Sequence, residues 1–431
     1  VIRALPLAAA LLAVLGWLAP PGMARAETTV AVADLPALVA ALKAARGGEV
    51  LLLEPGDYGR LELAQGPDGS FAWTAPVTLR PADPARPPRL GELDLRGIGD
   101  LTFDGLIFDH EIAPGQDLDR RIFQISDARN ITIRNSVFDG DIVTQGAPED
   151  IGLPSGIALS LPRVTGARVE DNLFFHFYRA IAMGRGSDVL LRGNEIAGMR
   201  MDGMVFTSMT DVRIEGNFIH GFLRSKVKSD HSDMIQFWTR NNTEATRGIT
   251  IRGNVLLAGQ GGVTQSIFMR NDMVDRGLAG EELFYRDILI EENVIVNGHS
   301  NAIVLGEALG ATIRNNTLLR SPLFAQGEDR DRSVRVPRIR LAKTSREVTV
   351  EGNIAGGVPA AQPGWRVEGN LVLQDRNPAA PGYYSAEVLP RLATGDPEHL
   401  ETYVLGPGVV AGADLLKSGH DLSAFRTRAL P

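Results

Sequence analysis

Val189-Leu190-Leu191-Arg192-Gly193-Asn194, followed by Val212-Arg213-Ile214-Glu215-Gly216-Asn217, is the stretch that decides the fold. The second copy reads apolar, polar, apolar, charged, small, Asn, and the first departs from it only at Leu190. The same phrase recurs as Ala167-Arg168-Val169-Glu170-Asp171-Asn172, Ile249-Thr250-Ile251-Arg252-Gly253-Asn254, Ala311-Thr312-Ile313-Arg314-Asn315-Asn316 and Val348-Thr349-Val350-Glu351-Gly352-Asn353. Alternation of period two makes each phrase a strand with one face buried. Asn172 to Asn194 is 22 residues and Asn194 to Asn217 is 23, and longer gaps such as the 37 from Asn217 to Asn254 read as the same unit with an insertion. A period in the twenties is the mark of a solenoid.

A second strand follows each phrase and aligns across copies. Its copies are Arg179-Ala180-Ile181-Ala182-Met183, Asp202-Gly203-Met204-Val205-Phe206, Asp233-Met234-Ile235-Gln236-Phe237 and Asn301-Ala302-Ile303-Val304-Leu305. With two or three strands per turn and β-branched residues at inward positions, the economical architecture is an all-β, right-handed parallel β-helix. The asparagines fit it. An Asn tolerates the left-handed conformation of a sharp turn, and its amide can bond the equivalent side chain one coil away, about 4.8 Å along the axis. We therefore read them as structural. Leucine-rich repeats lack a match to their Leu-x-x-Leu-x-Leu spacing here, and a propeller would repeat nearer forty residues.

Upstream, Leu35 to Ala45 carries apolar residues at helical spacing and stops at Gly47-Gly48, which predicts a short amphipathic helix capping the first coil. Arg3, the apolar run Leu5 to Leu18 and Ala24-Arg25-Ala26 read as a signal peptide over 1–26, with a mature chain from about Glu27. The run is short for a membrane span of about 20 residues, so no span is expected after cleavage and the location is periplasmic or extracellular. The β-helix domain with its cap is expected over 27–371. Residues 372–431, rich in Pro, Gly and Ala, are expected to pack on the outside or cap the far end.

An apolar fraction of 44% supports a large core, while 47 glycines and 6% aromatics suit many tight turns between short strands. There is no cysteine, so stability rests on burial and hydrogen bonding. The formal charge of −8 argues against a nucleic-acid partner. It leaves an acidic substrate open, because binding follows local charge.

Solenoids carry function on insertions that leave one face. Insertions are expected at 110–121, 141–154 and 220–232, after the phrase, and at 239–248 and 270–287, after the second strand, as two walls of a cleft. Within 220–232, Arg224, Lys226 and Lys228 alternate and lead into Asp230-His231-Ser232-Asp233. His231, between two carboxylates and with an ordinary pKa near neutrality, is the expected proton-transfer group. His220 is held in reserve as a binding or second acid–base residue. Asp202 and Asp233 align one coil apart, close enough to perturb each other or share a cation, with Ca²⁺ the ion such a pair could hold. Alternatively they are one more polar ladder. By the parity of Ile235 and Phe237, Gln236 and Trp238 face outward, and an exposed Trp can stack on a sugar ring. Arg240 and Arg270 lie just beyond their second strands and could reach the same wall.

With these residues the chain resembles the pectate-lyase-like superfamily of parallel β-helix proteins that act on polysaccharides. Its opening, the helix followed by Gly47-Gly48-Glu49-Val50-Leu51-Leu52-Leu53-Glu54-Pro55-Gly56-Asp57-Tyr58, is similar to the cap and first coil of secreted alginate and chondroitin lyases. Asp230-His231-Ser232-Asp233 resembles the Asp-Pro-His-Asp motif of alginate C5-epimerases, without its Pro. The resemblance implies a monomeric enzyme on an acidic polysaccharide containing uronic acid. The leading expectation is β-elimination, with Lys226, Lys228 or Arg240 neutralising the carboxylate and His231 as base. The alternatives are C5-epimerisation, hydrolysis by Asp202, Asp230 and Asp233, and non-catalytic glycan binding.

Overall fold

The computed structural model describes residues 28–66, 71–113, 115–225, 227–228, 230–259, 264–321, 323, 336–374, 377–379, 383, 388–392, 394–396 and 399–413. Lys226, the expected signal segment and the last eighteen residues lie outside them. The described chain forms three long sheets of 13, 11 and 10 strands, in which every pair of neighbours is parallel and belongs to successive coils. One coil shows the pattern: Ser187–Arg192 lies in the first sheet, Glu195–Ala197 in the second and Asp202–Thr207 in the third, before Thr210–Glu215 re-enters the first. The recurring phrase is the first sheet, the Asn opens the turn into the second, and the aligned second strand is the third sheet. The architecture is a right-handed parallel β-helix with three strands per turn.

The turn corrects one expectation about the Asn column. The ladder asparagines do not themselves take the left-handed conformation; the residue before each does, with φ of 56° at Asp171, 64° at Gly193, 60° at Gly216, 63° at Gly253 and 62° at Gly352. This is why the phrase carries a small residue ahead of its Asn, since glycine meets no steric penalty there. Each Asn is left free to use its amide. Asn217 donates to Leu191 O of the preceding coil and to Asn254 Oδ1 of the next, both at 2.9 Å.

Inside, equivalent side chains stack from coil to coil. Phe108, Phe138 and Phe174 lie in one column with centroid separations of 4.4 and 4.3 Å. The helix Leu35–Ala44 covers the first end, with Asp34 capping the amide of Ala37 and with Leu38 and Leu42 fully buried. Burying such side chains contributes about 1.5–3 kcal/mol each, which is how the fold is held without crosslinks.

A smaller apolar cluster lies outside the solenoid. Leu389, Leu400, Tyr403, Val404 and Leu405 of the C-terminal segment cover Val255, Leu257, Val294, Val296 and Leu319 on the second sheet. Strands such as Val255-Leu256-Leu257 are consequently buried on both faces and read as continuous apolar runs. The second sheet is thus covered over these coils, and the third keeps an outward face flanked by insertions. Residues 110–120, 140–156 and 221–232 enter the third sheet, and 239–246 and 270–284 leave it.

Candidate active site on the third sheet

At the first position of the third-sheet strands the chain places Arg179, Asp202, Asp233, Gln265 and Asn301 in successive coils. Arg179 is the Cα partner of Asp202, and Asp233 that of Gln265. Met204 pairs with Ile235, which brings Asp233 beside Asp202, and the Asp233 amide donates to Asp202 Oδ1 at 3.2 Å. Simple alternation would turn Asp233 inward with Ile235. Instead Met234 and Ile235 are both in the core, and a Cβ on Gly203 would lie 3.1 Å from interior Ile219. Two consecutive inward residues break the alternation, so the residue ahead of them turns out of the core, where Gln236, Gln265 and His231 cover it.

The two carboxylates are buried, Asp202 at 1% and Asp233 at 0% exposure, yet differ in their partners. Asp202 Oδ2 accepts from Arg179 Nε at 2.6 Å. Asp233 is held by neutral amides: Gln236 Nε2 donates to Oδ2 at 2.6 Å and Gln265 Nε2 to Oδ1 at 2.7 Å. Burial pushes the Asp202 carboxyl up to about 6, against the opposing pull of the Arg179 guanidinium. Burial also raises Asp233, with the His231 hydrogen bond working the other way. Two adjacent carboxyls in unlike settings can divide the roles of acid and base.

His231 sits at the rim, its side chain 62% exposed, with Nδ1 3.3 Å from Asp233 Oδ2. The hydrogen bond to Asp233 raises its pKa. The orientation of Gln265 then constrains the ring. Its Oε1 accepts from Asn301 Nδ2 at 2.6 Å and its Nε2 donates to Asp233, leaving the second N–H facing His231 Nε2 at 3.1 Å. In the neutral ring, Nδ1–H donates to Asp233 and Nε2 accepts from Gln265. Both nitrogens are engaged, which makes the histidine a hydrogen-bond partner of Asp233 and Gln265.

Beside the pair lies a cavity of about 260 Å³, lined by Arg179, Asp202, His231, Gln236, Trp238, Phe268 and Arg270 among others; Asp233 touches it only through His231 and Gln236. Trp238 is 38% exposed, and Phe268 meets the His231 ring edge-on at 5.8 Å. Gln236, Trp238 and Arg270 thus share one lining, with Gln236 itself buried. Arg270 is ion-paired with Asp275.

Other expected residues are elsewhere. Lys228 donates to both oxygens of Asp150 at 2.8 Å, so its ammonium is turned to the neighbouring insertion, and it does not line the cavity around Asp202. Asp230 accepts from Arg200 Nε at 3.0 Å and from the Ser225 amide at 2.9 Å. Arg200 is itself 1% exposed and also binds Asp150 at 2.9 Å. The four charges Lys228, Asp150, Arg200 and Asp230 tie residues 140–156 to 221–232 as one wall. Arg224 is half-buried and partnered. His220 lies in the second sheet, 3.0 Å from Glu195 and stacked on Phe218, outside the cleft. Arg240 lines a neighbouring groove and not this cavity.

Nor does the donor set suit a shared Ca²⁺. Arg179 already supplies the positive charge at Asp202, and amide donors occupy both oxygens of Asp233. Among the described residues no three His, Cys, Asp or Glu side chains converge on a metal position.

Sequence reasoning passed over Arg179, Gln265 and Phe268. Arg179 was visible as the residue aligned with Asp202. Gln265 precedes Ser266-Ile267-Phe268-Met269 as Asp233 precedes Met234-Ile235-Gln236-Phe237, in the coil whose phrase ends at Asn254. Tyr178 was silent as well: its ring lies between the guanidinium groups of Arg179 and Arg200, at 5.0 and 5.5 Å.

Residues 121–353 match the family model described as "right handed beta helix region". No curated protein matches the sequence. Among solved structures the chain is similar to the Dettilon tailspike protein, at 13% identity over 79% of this chain and 61% of that one, with a TM-score of 0.46. It is similar to a mutant of the PL6 family alginate lyase AlyGC at 14% identity, 89% and 57% coverage and a TM-score of 0.46. It is also similar to PfbA, a surface adhesin of Streptococcus pneumoniae, at 13% identity, 80% and 93% coverage and a TM-score of 0.44. The chain thus spans about three fifths of the length of the tailspike and the lyase.

Proposed function

Because the chain belongs to the right-handed β-helix family, whose solenoid presents one long sheet face, we propose that this face takes a polysaccharide and that Asp202 and Asp233 perform acid–base chemistry on it. The reaction the pair fits best is hydrolysis of a glycosidic bond. One observation carries this reading: two buried carboxyls on adjacent coils, Asp202 lining an aromatic-edged cavity and facing a guanidinium, and Asp233 beside it, held by neutral amides and in contact with His231 and Gln236 of the same lining. Glycoside hydrolysis asks for such a division. One carboxyl with a raised pKa gives a proton to the leaving oxygen, and the other acts from the far side as base or nucleophile. Asp202, raised to about 6, suits the donor below that pH. Asp233 accepts three contacts at its own oxygens, from Gln236, Gln265 and His231, and these favour the ionised form against the burial that raises its pKa.

β-Elimination on a uronate is the second reading, favoured by Arg179 and Arg270 in the same cavity, where guanidinium groups could meet a substrate carboxylate. It no longer draws on Lys228. In both readings the substrate is an acidic polysaccharide and the protein is an exported monomer. The test is to incubate the protein with acidic and neutral glycans while following reducing ends, absorbance near 235 nm and C5 inversion by NMR. Reducing ends without absorbance support hydrolysis, absorbance supports elimination, inversion alone supports epimerisation, and binding without turnover leaves a scaffold. Sequencing the N-terminus of protein recovered from the periplasm or medium checks export; an uncleaved chain retained in the cytoplasm would refute it.

A further inference from the structure

Beside the carboxylate cavity runs a groove of about 330 Å³ over five coils of the third sheet, and its charge is all of one sign. Arg121, Arg163, Arg185 and Arg240 line it, and no carboxylate does. Its floor is made of small or short side chains, Ser160, Ala182 and Gly184, with Val205 and Thr207 beyond them. Ser160 and Ala182 are Cα partners, as are Ala182 and Val205, and Val205 is partner to Gln236 of the carboxylate cavity. The groove and the cavity therefore share one sheet face.

The turn leaving the third sheet explains why charge accumulates here. Asp127, Arg163, Arg185 and Ser208 each occupy its left-handed position, at φ of 54°, 56°, 54° and 49°, so they stack coil upon coil. Asp127 neutralises Arg163 through two hydrogen bonds. The column offers no second acid, which leaves Arg185 unmatched. Arg121 and Arg240 approach from the two ends of the strands, one opening Arg121–Ser126 and the other following Asp233–Trp238. All three are exposed and have no carboxylate partner among the described residues. In a chain whose net charge is −8, three unmatched guanidiniums in one groove form a local field opposite to the global one.

We infer that this groove is an anion subsite: Arg121, Arg185 and Arg240 hold the carboxylate or sulfate groups of an acidic glycan whose neighbouring sugars lie over Asp202 and Asp233. The inference rests on the glycan reading of the third sheet and adds what that reading leaves open, namely which residues select for charge and where. Guanidinium forks match planar anionic oxygens. Asn241, Asn242, Thr207 and Ser208 line the same groove and offer polar groups for sugar hydroxyls. The assignment also relocates Arg240: its partner is charge on a sugar away from the reacting bond.

Binding can be read without turnover. Calorimetric titrations would use Asp202→Asn protein with oligogalacturonate, its methyl-esterified neutral counterpart, dextran sulfate, dextran and a single-stranded oligonucleotide. We expect the charged glycans to bind and their neutral counterparts not to, with affinity falling as salt rises. Arg185→Ala and Arg240→Ala should each weaken binding about ten-fold, the scale of one lost charge-assisted contact, while Arg185→Lys recovers part of it. Preference for oligogalacturonate over dextran sulfate, or the reverse, identifies the anion and supports the subsite either way. Equal binding of charged and neutral glycans, unchanged affinity in both alanine variants, or tighter binding of the oligonucleotide than of any glycan would overturn it. Turnover of a neutral glycan by wild-type protein with no anion binding would remove the subsite and the acidic substrate with it, and leave only hydrolysis at Asp202 and Asp233 standing. Anion binding without turnover of any glycan would do the converse.

Discussion

Two polar columns run along this solenoid, and they are built on opposite principles. Between the first and second sheets, Asn172, Asn194, Asn217, Asn254, Asn293, Asn316, Asn353 and Asn370 repeat one residue, each amide donating to the next side chain at 2.9–3.0 Å. At the entry to the third sheet the equivalent ladder reads Arg179, Asp202, Asp233, Gln265, Asn301, a different residue type at nearly every step. A uniform amide column satisfies itself because each side chain is both donor and acceptor. A mixed column cannot be extended by repetition. Each of its members needs its particular neighbour, and two of them carry buried carboxyls whose pKa values are displaced upward. The difference separates what holds the coil from what acts on its surface.

The sharpest way to break this contrast is to neutralise the mixed column without unfolding it. Asp202→Asn and Asp233→Asn keep the shape and the capacity to accept a hydrogen bond. On the glycan reading, each should lower turnover about 10³-fold, within the range of lost acid–base catalysis, while circular dichroism and the unfolding midpoint stay close to wild type. Activity within ten-fold of wild type in both variants would return Asp202 and Asp233 to the class of structural ladders.

The uniform column should fail in the opposite manner. Asn254 accepts from the Asn217 amide and side chain and donates to Ile214 O and Asn293 Oδ1, all inside the protein. Asn254→Ala leaves several of these groups unpaired, at about 1–3 kcal/mol for each buried one. We expect a loss of about 3–5 kcal/mol in urea unfolding. Asn370→Ala, at the half-exposed end of the column, should cost clearly less. Equal losses at the two positions would mean that burial does not set the strength of the ladder.

The same contrast governs how much could be read from sequence. The Asn column was legible because repetition is itself the signal, and with it came the solenoid, the strand faces, the capping helix and the insertions around the third sheet. The mixed column was half legible. Asp202 and Asp233 aligned, but parity turned Asp233 the wrong way, because nothing in Asp233-Met234-Ile235 announces that two consecutive apolar side chains both enter the core. The ion pairs of Lys228 and Asp230 were illegible for a different reason. Their partners, Asp150 and Arg200, lie in other coils, 78 and 30 residues away, and a cluster of charge along the chain does not say which charges are already spent on one another. Arg185 escaped notice because it lies in a tight turn, where an isolated cation carries no pattern.

A third prediction uses proton linkage. The folded Asp202 carboxyl holds its proton up to about pH 6, against an ordinary value of 3.8. The native state therefore binds protons more tightly, and the stabilisation is complete below the ordinary value and lost as pH rises through about 6. Unfolding free energy should fall by about 2 kcal/mol between pH 4 and 7 from this group, and Asp202→Asn should remove that part of the slope. Arg179→Met should move the carboxyl higher still, because the guanidinium favours its charged form. An Asp202 resonance titrating near 4 by NMR would contradict the assignment. The Asn column contains nothing that titrates, so Asn254→Ala should shift the whole stability curve downward without changing its slope.

The smallest effect separates a positioning residue from a catalytic one. His231 hydrogen-bonds Asp233 through Nδ1, and its Nε2 is taken by Gln265, so its loss should disturb Asp233 without removing a proton-transfer group. We expect His231→Ala to lower turnover only about ten-fold, the scale of one hydrogen bond to a charged group. The removal also takes away a donor that favours ionised Asp233, so the Asp233 carboxyl should titrate higher and the pH–rate profile should move toward alkaline pH. His231→Gln, able to donate to Asp233, should recover much of that displacement. Gln265→Leu frees Nε2 and removes a second donor from Asp233, and should displace the profile in the same direction. A loss near 10³-fold in His231→Ala, with an unmoved profile and no recovery by Gln, would instead make the ring itself the base and place the proton transfer at the rim of the cleft rather than in its buried column.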